Sequence, residues 1–176
     1  RQNKKKFKVI LLSTNKNVKR IFYQAKEFKV KNVIILNKKI SNQWSIKFKK
    51  NQVNIFNSFS GFEKIFKSKI DYTINAISGI DGLDPTLKII KYTNKLAIAN
   101  KESIICGWNL INKELLKHKT KFIPVDSEHF SIFKLIENQK FNLINKIIIT
   151  ASGGPFLKKK NLKKIKINEA LNHPNW

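Results

Sequence analysis

Residues 96–103 read Leu96-Ala97-Ile98-Ala99-Asn100-Lys101-Glu102-Ser103, and this stretch decides the fold. Four apolar residues in a row, too few for a buried helix, are typical of a strand covered on both faces. The polar residues that follow carry helix-start signals: Asn100 can cap, and Glu102 suits a first turn. Helical character then runs from about 101 to 117. A strand feeding directly into a long helix is half of a βαβ unit. The same alternation extends in both directions. Residues 7–12 read as a strand, and 17–28 as a helix with Val18, Ile21, Phe22 and Ala25 on one face. Residues 33–36 form a second buried strand. The polar stretch 38–57 is left open between loop and a helix followed by a strand near 53–56. Further strands are expected at 72–78, 96–99, 122–125 and 147–150. Helices are expected from Pro85, from 101 to 117, and through Ile132, Phe133 and Ile136. This order predicts a doubly wound α/β architecture with parallel strands, whose ligands sit beyond the carboxyl ends of the strands.

The 176 residues carry 36 Lys and Arg against 11 Asp and Glu, a formal net charge of +25. That balance ordinarily suggests nucleic acid or an anionic membrane. Here Lys, Asn, Ile and Phe make up more than half of the chain, while Arg occurs only twice. Arg is the preferred residue for bidentate phosphate and base recognition. All four enriched types have A/T-rich codons, so a low-GC genome accounts for the composition without selection for binding. No specific nucleic-acid partner is expected. No apolar run reaches the roughly 18 residues needed to cross a bilayer, so no membrane partner is expected either. A single Cys fits a reducing compartment, and the expected location is cytoplasmic. There is no Met, and the basic N-terminus lacks a signal peptide's apolar stretch. The chain therefore reads as an internal piece of a longer protein.

Three segments fall just after strands. In the first, a cap explains Asn100 and Glu102, but Lys101 opposes the helix dipole unless an anion is held there. In the second, Val125-Asp126-Ser127-Glu128-His129, two of the few acids lie two residues apart. If extended, they point the same way and suit a hard divalent cation such as Mg²⁺ or Mn²⁺. The bland alternative is a helix capped by Asp126 or Ser127; His129 alone says little. In the third, Thr150-Ala151-Ser152-Gly153-Gly154-Pro155-Phe156, two glycines permit close backbone approach and Ser152 offers a hydroxyl to a phosphate or sugar. The alternative there is a tight turn. Neither a P-loop nor a Gly-x-Gly-x-x-Gly fingerprint is present.

Taken together with Gly79-Ile80-Asp81-Gly82-Leu83-Asp84-Pro85-Thr86 and His173-Pro174-Asn175-Trp176, these runs occur in an order that resembles the 1-deoxy-D-xylulose 5-phosphate reductoisomerase family. The resemblance covers nearly the whole chain and is weakest from about 38 to 69. It implies a partial Rossmann-like NADPH-binding domain, residues 1–125, lacking its N-terminal glycine loop. The first part of an α/β catalytic domain, residues 126–176, follows it. Asp126 and Glu128 would hold the divalent metal, Mg²⁺, Mn²⁺ or Co²⁺. Lys101, Ser127, Glu128, Ser152, His173 and Trp176 would bind substrate, with Lys101 and Glu128 catalytic and Trp176 on a loop that closes over it. Asn15, Lys16, Asn17, Asn100 and Glu102 would contact NADPH, although Asn15 stands where the family usually has Gly. Ser131 and Lys134 replace residues more often Ala and Gln.

The implied activity is a skeletal rearrangement of a sugar phosphate, 1-deoxy-D-xylulose 5-phosphate, followed by hydride transfer to give 2-C-methyl-D-erythritol 4-phosphate, a step of non-mevalonate isoprenoid biosynthesis. The full-length protein would be a homodimer. The piece alone would be inactive, because the resemblance places a third metal-binding Glu downstream. The competing readings are a basic nucleic-acid-binding module and a metal-dependent sugar phosphatase.

Overall fold

The computed structural model describes residue 3, residues 6–149 and residues 154–172. Two compact units divide at the start of the second candidate segment: Arg1–Ile123 and Pro124–Trp176.

The first unit alternates strand and helix. Its elements are β1 (Leu11–Thr14), α1 (Val18–Glu27), β2 (Asn32–Ile35), α2 (Lys38–Lys50), β3 (Asn54–Phe56), α3 (Phe62–Ile65), β4 (Ile70–Asn75), α4 (Leu83–Ile89), β5 (Thr93–Ile98), α5 (Lys101–His118) and β6 (Lys121–Pro124). The ambiguous stretch 38–57 thus resolves into a helix and a strand. Strands β1, β2 and β3 form one three-stranded sheet in that order, and β4, β5 and β6 form a second. The β1–β2, β2–β3 and β4–β5 pairs are parallel, with Leu12 opposite Val33 and Ile74 opposite Ala97. In each sheet the strands follow one another in chain order, with ligands expected beyond the carboxyl ends of such strands.

The uninterrupted apolar runs follow from burial on both faces. Val33 and Ile35 of β2 pack with Val18, Ile21 and Ala25 of α1 and Phe48 of α2. Ile34 points the other way, into a cluster with Leu96 and Ile98 of β5, Ile111 and Leu115 of α5, and Phe62 and Phe66. That second cluster joins the two sheets into one core. Asn17 and Asn37 cap α1 and α2, their side chains accepting from the Arg20 and Ile40 amides.

Three sequence expectations are corrected. β1 lies later than 7–12. β4 stops at Asn75 rather than Ser78, because residues 76–82 turn into a loop held by buried side chains. Ile147, Ile148 and Ile149 form no strand: they are exposed and pair with no strand among the described residues. Thr150 lies outside the described residues.

In the second unit, the described residues form α6 (Ser127–Ile136) and α7 (Ile167–Leu171), with two short 3₁₀ turns at Phe141–Leu143 and Gly154–Phe156. Four helix ends carry an unusual backbone. Lys29, Gln52, Lys119 and Asn138, at the carboxyl ends of α1, α2, α5 and α6, have φ of 52°, 54°, 51° and 72°.

Candidate functional site

A cleft of about 370 Å³ opens at the carboxyl ends of the first unit's strands. Its walls include Ser13 and Thr14 at the end of β1 with Asn15 just after it, Asn57, Ser58 and Ser60 after β3, and Ile77, Asp81 and Lys88 beyond β4. The size falls within the range of small-molecule sites, roughly 300–1,000 Å³. Lys88 Nζ is the cation on this wall, 2.8 Å from Asp84 Oδ2 and 3.4 Å from Ser60 Oγ. Asn15 lines the cleft, and the exposed Lys16 and Asn17 follow it into the cap of α1. Asn15 is not among the positive-φ residues, so Asn in place of Gly carries no backbone strain there.

The loop from β4 to α4 forms one side of the cleft and rests on two buried asparagines. Asn75 (6% exposed) ends β4, and Asn100 (5% exposed) follows β5. The Asn75 carboxamide accepts from the Ile77 amide at 3.0 Å, donates to the Gly82 carbonyl at 2.9 Å and donates to the Thr86 hydroxyl. Thr86 in turn donates to the Gly82 carbonyl at 2.7 Å. The Asn100 carboxamide donates to the carbonyls of Ile77 and Gly79, and accepts from the Ser103 amide at 3.2 Å as the cap of α5. Between them lies Gly79 at φ +71°, ψ −166°, a backbone favourable only for glycine.

Of the nucleotide-contact candidates, the Asn100 side chain is therefore committed to the fold. Lys101 and Glu102 are exposed in the first turn of α5.

In the second unit Asp126 caps α6. Its Oδ1 accepts from the His129 amide at 3.1 Å and lies 2.7 Å from His129 Nδ1. Asp126 has an extended backbone, but Ser127 and Glu128 already belong to the helix, so the extended i, i+2 geometry is replaced by a cap and a first turn. Ser127 Oγ donates to Glu128 Oε2 at 2.8 Å. Ser131 Oγ donates back to the Ser127 carbonyl at 2.6 Å, and Lys134 pairs with Glu137, so neither departure touches the Asp126 carboxylate.

The Asp126 side chain is 13% exposed, and its Oδ2 is buried without a hydrogen-bond partner. Burial pushes its carboxyl up. The His129 amide, imidazole and charge pull it down further, so it sits below the ordinary value of 3.8. A buried, ionised and unpartnered oxygen is an incomplete arrangement in which a hard cation supplies the missing partner. Asp126 thus fits a metal ligand, with Glu128 two residues on. Among the described residues no group of three His, Cys, Asp or Glu stands ready to hold an ion. Gly154, Pro155 and Phe156 form a short 3₁₀ turn. Ser152, His173 and Trp176 lie outside the described residues.

The sequence reading missed Asn75, Thr86 and Lys88. Asn75 sits between Ile74 and Ala76-Ile77, and a polar residue inside that apolar stretch was the available signal for the first.

Parallel strands wound with helices, a polar cleft at the strand ends and an asparagine-capped helix beside it define the class: a Rossmann-like α/β protein. Comparison with known proteins makes this particular. Residues 1–107 match the family model described as 1-deoxy-D-xylulose 5-phosphate reductoisomerase, and residues 122–176 match that of its C-terminal domain. The chain belongs to the 1-deoxy-D-xylulose 5-phosphate reductoisomerase family.

A reductoisomerase of Pelagibacter ubique is 53% identical over 180 residues, covering 100% of this chain and 46% of that protein. One from Clostridium acetobutylicum is 35% identical, covering 100% and 47%. The Zymomonas mobilis enzyme, solved in complex with NADPH, superposes with a TM-score of 0.80 at 32% identity, over 90% of this chain and 42% of that one. A reductoisomerase solved with NADPH, fosmidomycin and magnesium gives 0.78 at 28% identity, over 99% and 46%. The chain spans about half the length of the curated relatives it matches. No helix among the described residues is long and apolar enough to cross a membrane.

Proposed function

We propose that the protein containing this chain converts 1-deoxy-D-xylulose 5-phosphate to 2-C-methyl-D-erythritol 4-phosphate with NADPH and Mg²⁺ or Mn²⁺. The observation that carries the reading is the ordered match of both halves of the chain to the two family models. Residues 1–125 serve NADPH, and 126–176 begin the metal- and substrate-binding domain. The cation supplies Lewis-acid polarisation of substrate oxygens, and NADPH supplies the hydride.

The chain's own residues bind and orient. The cleft wall at Asn15, with Lys16 and Asn17 beside it, meets the nucleotide, while Asn100 holds the start of α5 so that Lys101 faces substrate oxygens and Glu102 the cofactor. Asp126 Oδ2 and Glu128 offer anionic oxygens to the cation. The first-turn Ser127 hydroxyl, which donates to Glu128, also meets substrate. Ser152 and His173 bind substrate, and Trp176 excludes water from the reacting atoms. The assembly is a cytoplasmic homodimer.

The test is NADPH oxidation by the full-length protein. Oxidation should require 1-deoxy-D-xylulose 5-phosphate, stop with chelator and return with Mg²⁺ or Mn²⁺. Turnover that is indifferent to chelator, or phosphate release without NADPH oxidation, overturns the reading.

A further inference from the structure

We infer that Asn75 is a positioning residue for the cofactor: with Asn100 it clasps the loop of residues 76–82 into the conformation that walls the nucleotide cleft. The inference rests on the proposed use of that cleft for NADPH. Asn75 itself lies beneath the loop, is 6% exposed and does not line the cleft.

The geometry is that of a clamp closed from two sides. Asn75 and Asn100 end or follow neighbouring parallel strands, and the Ala99 amide donates to the Asn75 carbonyl at 2.9 Å, which ties their backbones together. Asn75 takes the entry of the loop by the Ile77 N–H and its exit by the Gly82 carbonyl. Asn100 takes the Ile77 and Gly79 carbonyls between them. Both Nδ2 groups donate twice and both Oδ1 atoms accept, so each carboxamide is committed to the loop, to Thr86 or to the cap of α5.

A seven-residue loop with a left-handed Gly79 would otherwise sample many conformations. Two residues of the held segment, Ile77 and Asp81, face the cleft. Because Asn100 also caps α5, the clasp sets the cleft wall and the start of the helix bearing Lys101 and Glu102 as one piece. Two carboxamides thereby prepare the site before any ligand arrives.

The experiment compares full-length wild type, Asn75→Ala and Thr86→Val at 25 °C, with folding checked by circular dichroism. NADPH affinity is read by fluorescence titration, and turnover as kcat and KM. If the released loop is competent about a tenth of the time, Asn75→Ala raises the Kd for NADPH about tenfold. Its kcat at saturating cofactor should stay within about threefold, since no reacting group is removed. Thr86→Val leaves the direct Asn75–Gly82 bond in place and should change the Kd less than threefold. A residue that only stabilised the fold would lower the melting temperature and leave the Kd alone; that result overturns the inference, as does a Thr86→Val defect equal to that of Asn75→Ala.

Should Asn75→Ala fail to fold, hydrogen exchange on wild type decides. The peptide covering residues 76–82 should exchange slowly without NADPH; rapid exchange that slows only on NADPH addition overturns the clasp. Wild type that does not bind NADPH at all would instead sink the proposed function, while slow exchange of this peptide would still report the clasp.

Discussion

Replacing Gly82 with alanine sets two physical effects against each other, and the structure determines the sign. Gly82 has φ −75° and ψ −15°, an ordinary right-handed conformation that alanine adopts freely. Backbone entropy alone would make the substitution stabilising by about 0.4–1 kcal/mol. A Cβ at this position, however, would lie 1.9 Å from Asn100 Nδ2 and 3.0 Å from both Asn100 Cγ and the Ile77 carbonyl oxygen. The Asn100 carboxamide must move, and the three hydrogen bonds it makes to Ile77, Gly79 and Ser103 are lost or bent. At about 0.5–1.5 kcal/mol each, they sum to roughly 1.5–4.5 kcal/mol, and the buried setting favours the upper half. The net expectation is destabilisation of about 1–4 kcal/mol. For a chain of this length that lowers the melting temperature by about 2–4 °C per kcal/mol.

The assay is thermal unfolding of Gly82→Ala, Asn100→Ala and the double variant. Because the 1.9 Å clash is with Asn100, and only the 3.0 Å approach to the Ile77 carbonyl oxygen survives its removal, Gly82→Ala should cost much less in the Asn100→Ala background than in wild type, a strongly non-additive cycle. A Gly82→Ala protein that melts higher than wild type, or a cycle in which the two costs simply add, would refute the reasoning.

The same logic applies at Gly107, where an added Cβ would lie 2.3 Å from Leu83 Cδ1. Gly107→Ala should lower the urea midpoint, with an overpacking cost of about 1–3 kcal/mol exceeding the helix-propensity gain of about 1 kcal/mol; an unchanged or higher midpoint contradicts it. Asp126→Asn should preserve the α6 cap, since Asn caps as well as Asp. It should nevertheless remove most turnover of the full-length enzyme at low Mg²⁺, and normal turnover at limiting metal would end the ligand assignment. The Asp126 carboxyl also predicts an acid limb. Its folded pKa lies below the unfolded value near 3.8, so its stabilisation is complete above that value and lost as pH falls through the folded pKa. Helix content of the second unit, followed by circular dichroism on acidification, should drop in that window, and the Asp126→Asn drop should be smaller; identical acid profiles would count against the cap.

The elements most legible in the sequence were those in which local and tertiary preferences agree. The run Val33-Ile34-Ile35 is buried on both faces, α1 shows its apolar stripe through Val18, Ile21 and Ala25, and Asn100 and Asp126 both cap the helices they precede. What escaped depended on contacts distant in sequence. Ile147, Ile148 and Ile149 have strand character, but a strand needs a neighbour that local pattern cannot supply. The end of β4 looked apolar through Ile77, yet the chain leaves the sheet after Asn75 because its side chain bonds to residues two and seven positions ahead. The Asp126–Glu128 spacing predicted an extended pair, whereas Asp126 caps α6 and Glu128 lies in its first turn, since spacing alone does not say where a strand yields to a helix. Asn75 offered only the weak signal of a polar residue inside an apolar stretch, and nothing local to Thr86 showed that its hydroxyl is buried against Asn75.

The left-handed residues at four helix ends show how a biased alphabet is accommodated. Such positions usually carry glycine, whose codons are G/C-rich, and this chain has only six glycines. Lys29, Gln52, Lys119 and Asn138 stand there instead, in a conformation that is unfavourable for side-chain-bearing residues, least so for Asn138. The two lysines recover part of that penalty by placing a cation against the negative end of a helix dipole. Backbone strain thus gathers at the α-helix termini of this glycine-poor chain, while Gly79 and Gly82 are kept in the cleft loop. Those termini are where a designer could add glycine and gain stability at a distance from the cleft.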